Sequence, residues 1–104
     1  MENYEFKTTF WQDFSIADKF GTSAIKDTFN RAFKEWRTDY EYLTELVLVL
    51  NWKSWQYYEK SFEIDSKNAK TYSNLYSKLY MDANDYAITH LKGKELDYYF
   101  DKVD

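Results

Sequence analysis

Apolar positions recur along this chain at helical rather than alternating spacing, and polar or glycine-bearing stretches divide the recurrence into five segments. Phe10, Phe14 and Ala17 share one face, Thr9 with Gln12 has capping-box spacing, and Gly21 supplies a stop, which predicts a helix over 10–20. In the next segment Ile25, Phe29, Ala32, Phe33 and Trp36 fall in one arc, at about 100° per residue, while Lys26, Asn30, Lys34 and Arg37 fall in another. With Thr22 or Ser23 as cap, this predicts a helix over 24–38 with rings inside and cations outside. Thr38 and Glu41 repeat the capping spacing and open the longest element, 39–63. Its middle, Leu46-Val47-Leu48-Val49-Leu50, has β-branched residues that suit a strand. The helical spacing nevertheless continues on both sides without a glycine break, and a helix apolar all round belongs at the centre of a fold.

Asp65-Ser66-Lys67-Asn68 reads as a turn with Ser66 as the next cap. Tyr72, Leu75, Tyr76, Leu79, Ala83, Tyr86 and Ala87 then keep i, i+3, i+4, i+7 spacing over 68–91, and Gly93 ends the helix. A last short helix, 94–102, places Leu96, Tyr99, Phe100 and Val103 against the rest. The expected architecture is all-α, a single domain over 1–104 forming a compact bundle of four or five helices, antiparallel where loops are short.

Composition narrows the chemistry. Zero cysteines exclude disulfides and thiolate metal sites and fit a reducing cytoplasm. The apolar run Leu46–Leu50 is far shorter than the roughly 20 residues that span a bilayer, and Met1–Glu5 lacks the basic start of a signal peptide. A soluble cytoplasmic protein is expected. The net charge of −4 opposes indiscriminate phosphate binding. Charge is also polarised: cations Lys19, Lys26, Arg31, Lys34 and Arg37 dominate 15–38, whereas Asp39, Glu41, Glu45, Glu59, Glu63 and Asp65 dominate 39–65.

Catalytic and cofactor motifs are missing. No Gly-x-Ser-x-Gly elbow, Ser-x-x-Lys pair or glycine-rich phosphate loop occurs. The single histidine, His90, would need carboxylates such as Asp82 and Asp85 as co-ligands to hold a metal, and reads instead as a partly packed residue near a helix end. Glu41 and Glu45, like Asp97 and Asp101, are spaced as paired carboxylates and read as solvated faces. No catalytic, cofactor-binding or metal residue is assigned, no cofactor is expected, and the chain is read as no enzyme.

Three resemblances add to this reading. Residues 57–80 resemble the junction between two tetratricopeptide repeats, with Ser54, Tyr58, Ser61, Tyr72 and Leu75 at matching positions. Ser66 stands where that family has proline, Tyr76 where it has glycine, and no copy appears at the repeat period. The match therefore supports a helical hairpin rather than a repeat array. Residues 15–29 are similar to a DNA-binding helix-turn-helix in the spacing of Ala17 and Gly21, but Asp27 occupies an apolar position of that motif. Across its length, through Thr9-Phe10-Trp11-Gln12-Asp13-Phe14 with Ile16-Ala17-Asp18, and Leu50-Asn51-Trp52-Lys53 with Trp55, the chain also resembles small helical proteins of gut-bacterial phages and other mobile elements. That likeness implies an accessory role and supplies no activity.

Eleven tyrosines, eight phenylalanines and four tryptophans remain to be housed in 104 residues. Each aromatic side chain buries roughly 150–250 Å², so a core this small has more rings than places for them. Trp52, Trp55, Tyr57 and Tyr58 span too wide an arc for one neighbouring helix to cover. They are the candidate protein interface, giving a non-enzymatic interaction module that self-associates or docks on a protein partner. Two alternatives stand beside it: a nucleic-acid-associated regulator using Lys26, Arg31, Lys34 and Arg37, and an acidic phage-encoded inhibitor of a host protein drawing on the 39–65 stretch. No membrane partner is expected.

Overall fold

Helix α3 (Tyr40–Lys60) is the element around which the others assemble, with every residue from Leu43 to Leu50 buried. A helix with neighbours on all sides has no use for a polar face, which accounts for its unbroken leucine and valine run. The computed structural model describes residues 6–63 and 67–103; there α1 (Phe10–Ala17), α2 (Thr22–Trp36), α4 (Lys67–His90) and α5 (Lys94–Val103) surround α3. The chain is an all-α bundle, and no described helix is long and apolar enough to cross a membrane.

α4 runs antiparallel to α3, in the most extensive helix pair of the bundle. Tyr57 meets Tyr72 edge to face at 5.2 Å. Ser54 Oγ donates to the Ser73 carbonyl at 3.2 Å and Ser73 Oγ returns a bond to the Ser54 carbonyl at 3.0 Å. Two small side chains here let the backbones approach closely enough for hydroxyls to reach across. The α1–α2 corner packs on the same hairpin: Phe14 meets Tyr76, and Phe33 meets Tyr86 edge to face at 5.1 Å. From the other end α5 folds back, burying Tyr99, whose hydroxyl donates to Asn84 Oδ1. The result is elongated along the hairpin, 46 × 24 × 23 Å.

Element boundaries differ from expectation where side chains chose other partners. α1 stops at Ala17, not at residue 20, where the chain tightens into i→i+3 bonds from the Lys19 N–H to the Ile16 carbonyl and from the Phe20 N–H to the Ala17 carbonyl. Thr9 caps nothing; its hydroxyl donates to Asp13 Oδ2 at 2.9 Å, and Thr8 Oγ1 takes the Phe10 N–H at 3.3 Å. α2 starts at Thr22, with Gly21 rather than Thr22 or Ser23 at the cap position. Asp39, not Thr38, caps α3, accepting the Glu41 and Tyr42 N–H groups at 3.1 Å each. The predicted cap Ser66 lies outside the described residues.

The largest correction concerns Glu45, expected on a solvated face and only 2% exposed. Its carboxylate accepts the Lys7 N–H at 3.0 Å, the Thr8 N–H at 2.8 Å and the Thr8 hydroxyl at 2.5 Å. The segment entering α1 is thereby tied down onto α3, while Glu41 pairs with the Lys7 ammonium nearer the surface. A buried carboxylate is stable only with such donors, and three supply the need.

Gly21 adopts φ 111° and ψ −174°, a region that side-chain-bearing residues almost never occupy. Although a Cβ there would meet nothing within 4 Å, Gly21→Ala is expected to cost about 1–3 kcal/mol from backbone strain alone. Urea unfolding measures it. A loss below about 0.5 kcal/mol would show that the corner relaxes without strain.

Candidate functional site

On α3 the four predicted interface rings separate into two outward, one lateral and one inward. Trp55 and Tyr58 are 56% and 49% exposed and meet edge to face at 5.5 Å; Tyr58 meets Phe62, 75% exposed, in the same manner at 5.1 Å. These three rings form a continuous strip running off the end of α3. Beside it lies a shallow hollow of about 390 Å³ between α3 and α4, which Tyr58 and Phe62 share with Lys70 and Asn74. Trp52 is half-buried, its edge against Phe6 at 5.6 Å, and Phe6 in turn stacks on Trp11. Phe62 was absent from the predicted set because it lies one turn past the Trp/Tyr cluster, although its i+4 spacing from Tyr58 was visible.

Tyr57 points the other way, into a polar centre that the chain's periodicity did not announce. Asp18, at the end of α1, is its acceptor. Lys53 Nζ lies 2.8 Å from Asp18 Oδ2 and 2.8 Å from Ser15 Oγ, with the Trp11 ring centroid 4.6 Å away. The Tyr57 hydroxyl donates to the same Asp18 oxygen at 2.7 Å, the Tyr76 hydroxyl donates to Oδ1, and the Tyr72 hydroxyl reaches the Asp18 carbonyl at 3.1 Å. Lys53 is only 2% exposed. Burial first, then hydrogen bonding to Asp18 and its negative charge, hold the Tyr57 and Tyr76 phenols well above their usual value. The arrangement is a clamp between α1, α3 and α4.

The four cations proposed for nucleic acid are all exposed but do not form an uninterrupted cationic patch. Lys26, Lys34 and Arg37 follow one line of α2, where Arg37 also lies over the Phe33 ring at 5.8 Å. Arg31, three residues before Lys34, also lines the hollow next to α1 together with Asp27 and Glu35, so carboxylates stand among these cations. Within the helix-turn-helix-like segment Ile25 is fully buried and Asp18 is committed to the clamp.

His90 is exposed, stacked on Tyr86 at 3.9 Å with Nδ1 2.9 Å from the Tyr86 carbonyl. Asp82 pairs with Lys78 at 3.0 Å, and no group of three metal-ligating side chains converges among the described residues. No protein-family model, curated protein or solved structure matches the chain.

Lys53→Met is expected to destabilise by about 3–5 kcal/mol, because it leaves Asp18 without its cation. Adding Asp18→Asn should recover part of that loss, so chemical unfolding of the two single variants and the double gives a strongly non-additive cycle. Additive losses would mean the pair is not coupled. A second consequence concerns pH. The folded chain holds the Tyr57 and Tyr76 phenols neutral above their ordinary value near 10, whereas the unfolded chain ionises them. The stability these two phenols contribute is therefore complete below about pH 10 and falls as pH rises beyond it. Tyr76→Phe should flatten that fall in thermal melts; an unchanged alkaline slope would remove the phenol from the account.

Proposed function

We propose that the chain is a non-enzymatic helical interaction module whose contact surface is the strip Trp55–Tyr58–Phe62. The observation that carries this reading is the continuity of three largely exposed rings, each packed edge to face on the next. Large apolar groups left together in water mark contact sites in soluble proteins, and Trp and Tyr are enriched where binding energy concentrates. The relevant partner is a second copy of the chain. Glu59 beside the rings and Lys70 across the hollow give the strip both signs of charge, so a twofold contact brings each to its opposite on the other copy. Asp27 and Glu35 interspersed among the α2 cations, with the net charge of −4, give the protein reading precedence over nucleic-acid contact.

Sedimentation velocity over a concentration series tests the proposal. Expected is a shift toward twice the 12.7 kDa chain mass with rising concentration, accompanied by shielding of tryptophan from acrylamide. Trp55→Ser with Tyr58→Ser should remain monomeric and keep its helical circular dichroism. A wild-type chain still monomeric at about 1 mM, where association is weaker than roughly −4 kcal/mol, overturns it.

A further inference from the structure

The outer side of the α1–α2 corner carries a second surface, unrelated to the strip. Between the two helices runs an open trough of about 660 Å³. Small side chains, Ala17, Ala24, Thr28 and Ala32, line it, with Phe10 and Trp36 at one end. One wall is α1 with the turn that follows it, from which Ile16 and Phe20 project 56% and 77% exposed. The other wall is α2, presenting Asp27, Arg31 and Glu35. Asp13 adds a third carboxylate on the α1 side, so the walls hold three acids to one base. Among the described residues neither Asp27 nor Glu35 has an ion-pair partner, and Arg31 makes only a long bond, 3.5 Å, to the Asp27 carbonyl.

We infer that this trough docks an amphipathic helix of another protein, one with a leucine-like apolar face flanked by lysine or arginine. Shape selects a helix: a channel between two helices accepts the side-chain ridge of a third, and the small residues leave room for it. Charge selects the flanks, since unpaired carboxylates attract cations and repel phosphate or anionic lipid. A second copy is disfavoured by the same argument. Its own exposed strip carries both signs of charge, Glu59 and Glu63 with Lys60 and Lys70, and so offers no cationic pair of flanks to Asp13, Asp27 and Glu35. A small-molecule ligand would need polar groups converging on an enclosed floor, whereas the floor here is mostly alanine and the charged side chains stand on the walls of an open channel.

The probe is a fluorescein-labelled Leu/Lys amphipathic peptide of about 14 residues, enough to follow α2 from Ala24 to Glu35, roughly 17 Å. A Leu/Glu peptide of the same pattern is its control. Fluorescence anisotropy should show micromolar binding of the first and at least about tenfold weaker binding of the second. Asp27→Lys with Glu35→Lys should reverse the preference. Asp97→Lys with Asp101→Lys makes the same change in net charge on α5, which does not pack on α1 or α2, and should leave the preference intact. Trp55→Ser with Tyr58→Ser should also leave binding intact, so that failure of the strip and failure of the trough are read separately. Absence of binding, equal binding of both peptides, or equal effects of the α2 and α5 reversals overturns the inference.

Discussion

A single buried carboxylate sets the geometry of this molecule. Asp18 sits at the end of a helix only two turns long, and its charge is tolerable there only if donors come to it. They come from α3 and α4 together: a lysine, two phenols, and a third phenol on the Asp18 carbonyl. Apolar packing alone is non-directional and would hold α3 at several rotations about its axis. Lys53 and Tyr57, one turn apart, fix one of them. At about 100° per residue, Trp55 and Tyr58 then lie some 200° and 140° from Lys53, on the far side of the helix. The clamp that closes the corner also decides which rings remain outside.

Glu45 does the same for the segment ahead of α1. Its partners are mostly backbone N–H groups, so it recognises chain path rather than side-chain type. Together the two carboxylates place α1, and the position of α1 against α2 opens the trough. Both candidate surfaces are therefore consequences of buried polar contacts that neither surface contains.

The helices themselves were legible because apolar spacing is a local signal. α4 illustrates this: Tyr76, Leu79, Ala83 and Ala87, read as part of its inner face, are buried, Tyr72, Leu75 and Tyr86 are partly so, Ala69 and Ser73 are buried besides, and the expected span of 68–91 differs from Lys67–His90 by one residue at each end. Caps were less legible, since Thr38 and Asp39 are neighbours with equal claim and only the backbone geometry of Asp39 decides between them. The clamp was missed because its partners lie 35 to 58 positions from Asp18 and no periodicity links them. One clue existed. Lys53 and Tyr57 continue the stripe of Leu46 and Leu50 at i+3 and i+4 steps, so polar groups stood where the pattern called for apolar ones. Reading Glu45 as solvated failed likewise, since it lies inside the buried run from Leu43 to Leu50. The trough had no local signature, because it depends on how α1 and α2 sit together.

Native-state hydrogen exchange tests the clamp most directly, since it reads the stability of the α1–α2 corner separately from that of the α3–α4 hairpin. With Lys53→Met, amides of α1 and the first turn of α2 should exchange through a sub-global opening while the middle of α3 stays protected. Protection lost equally along all the helices, or retained in α1, would contradict the claim that Asp18 is what fastens the corner.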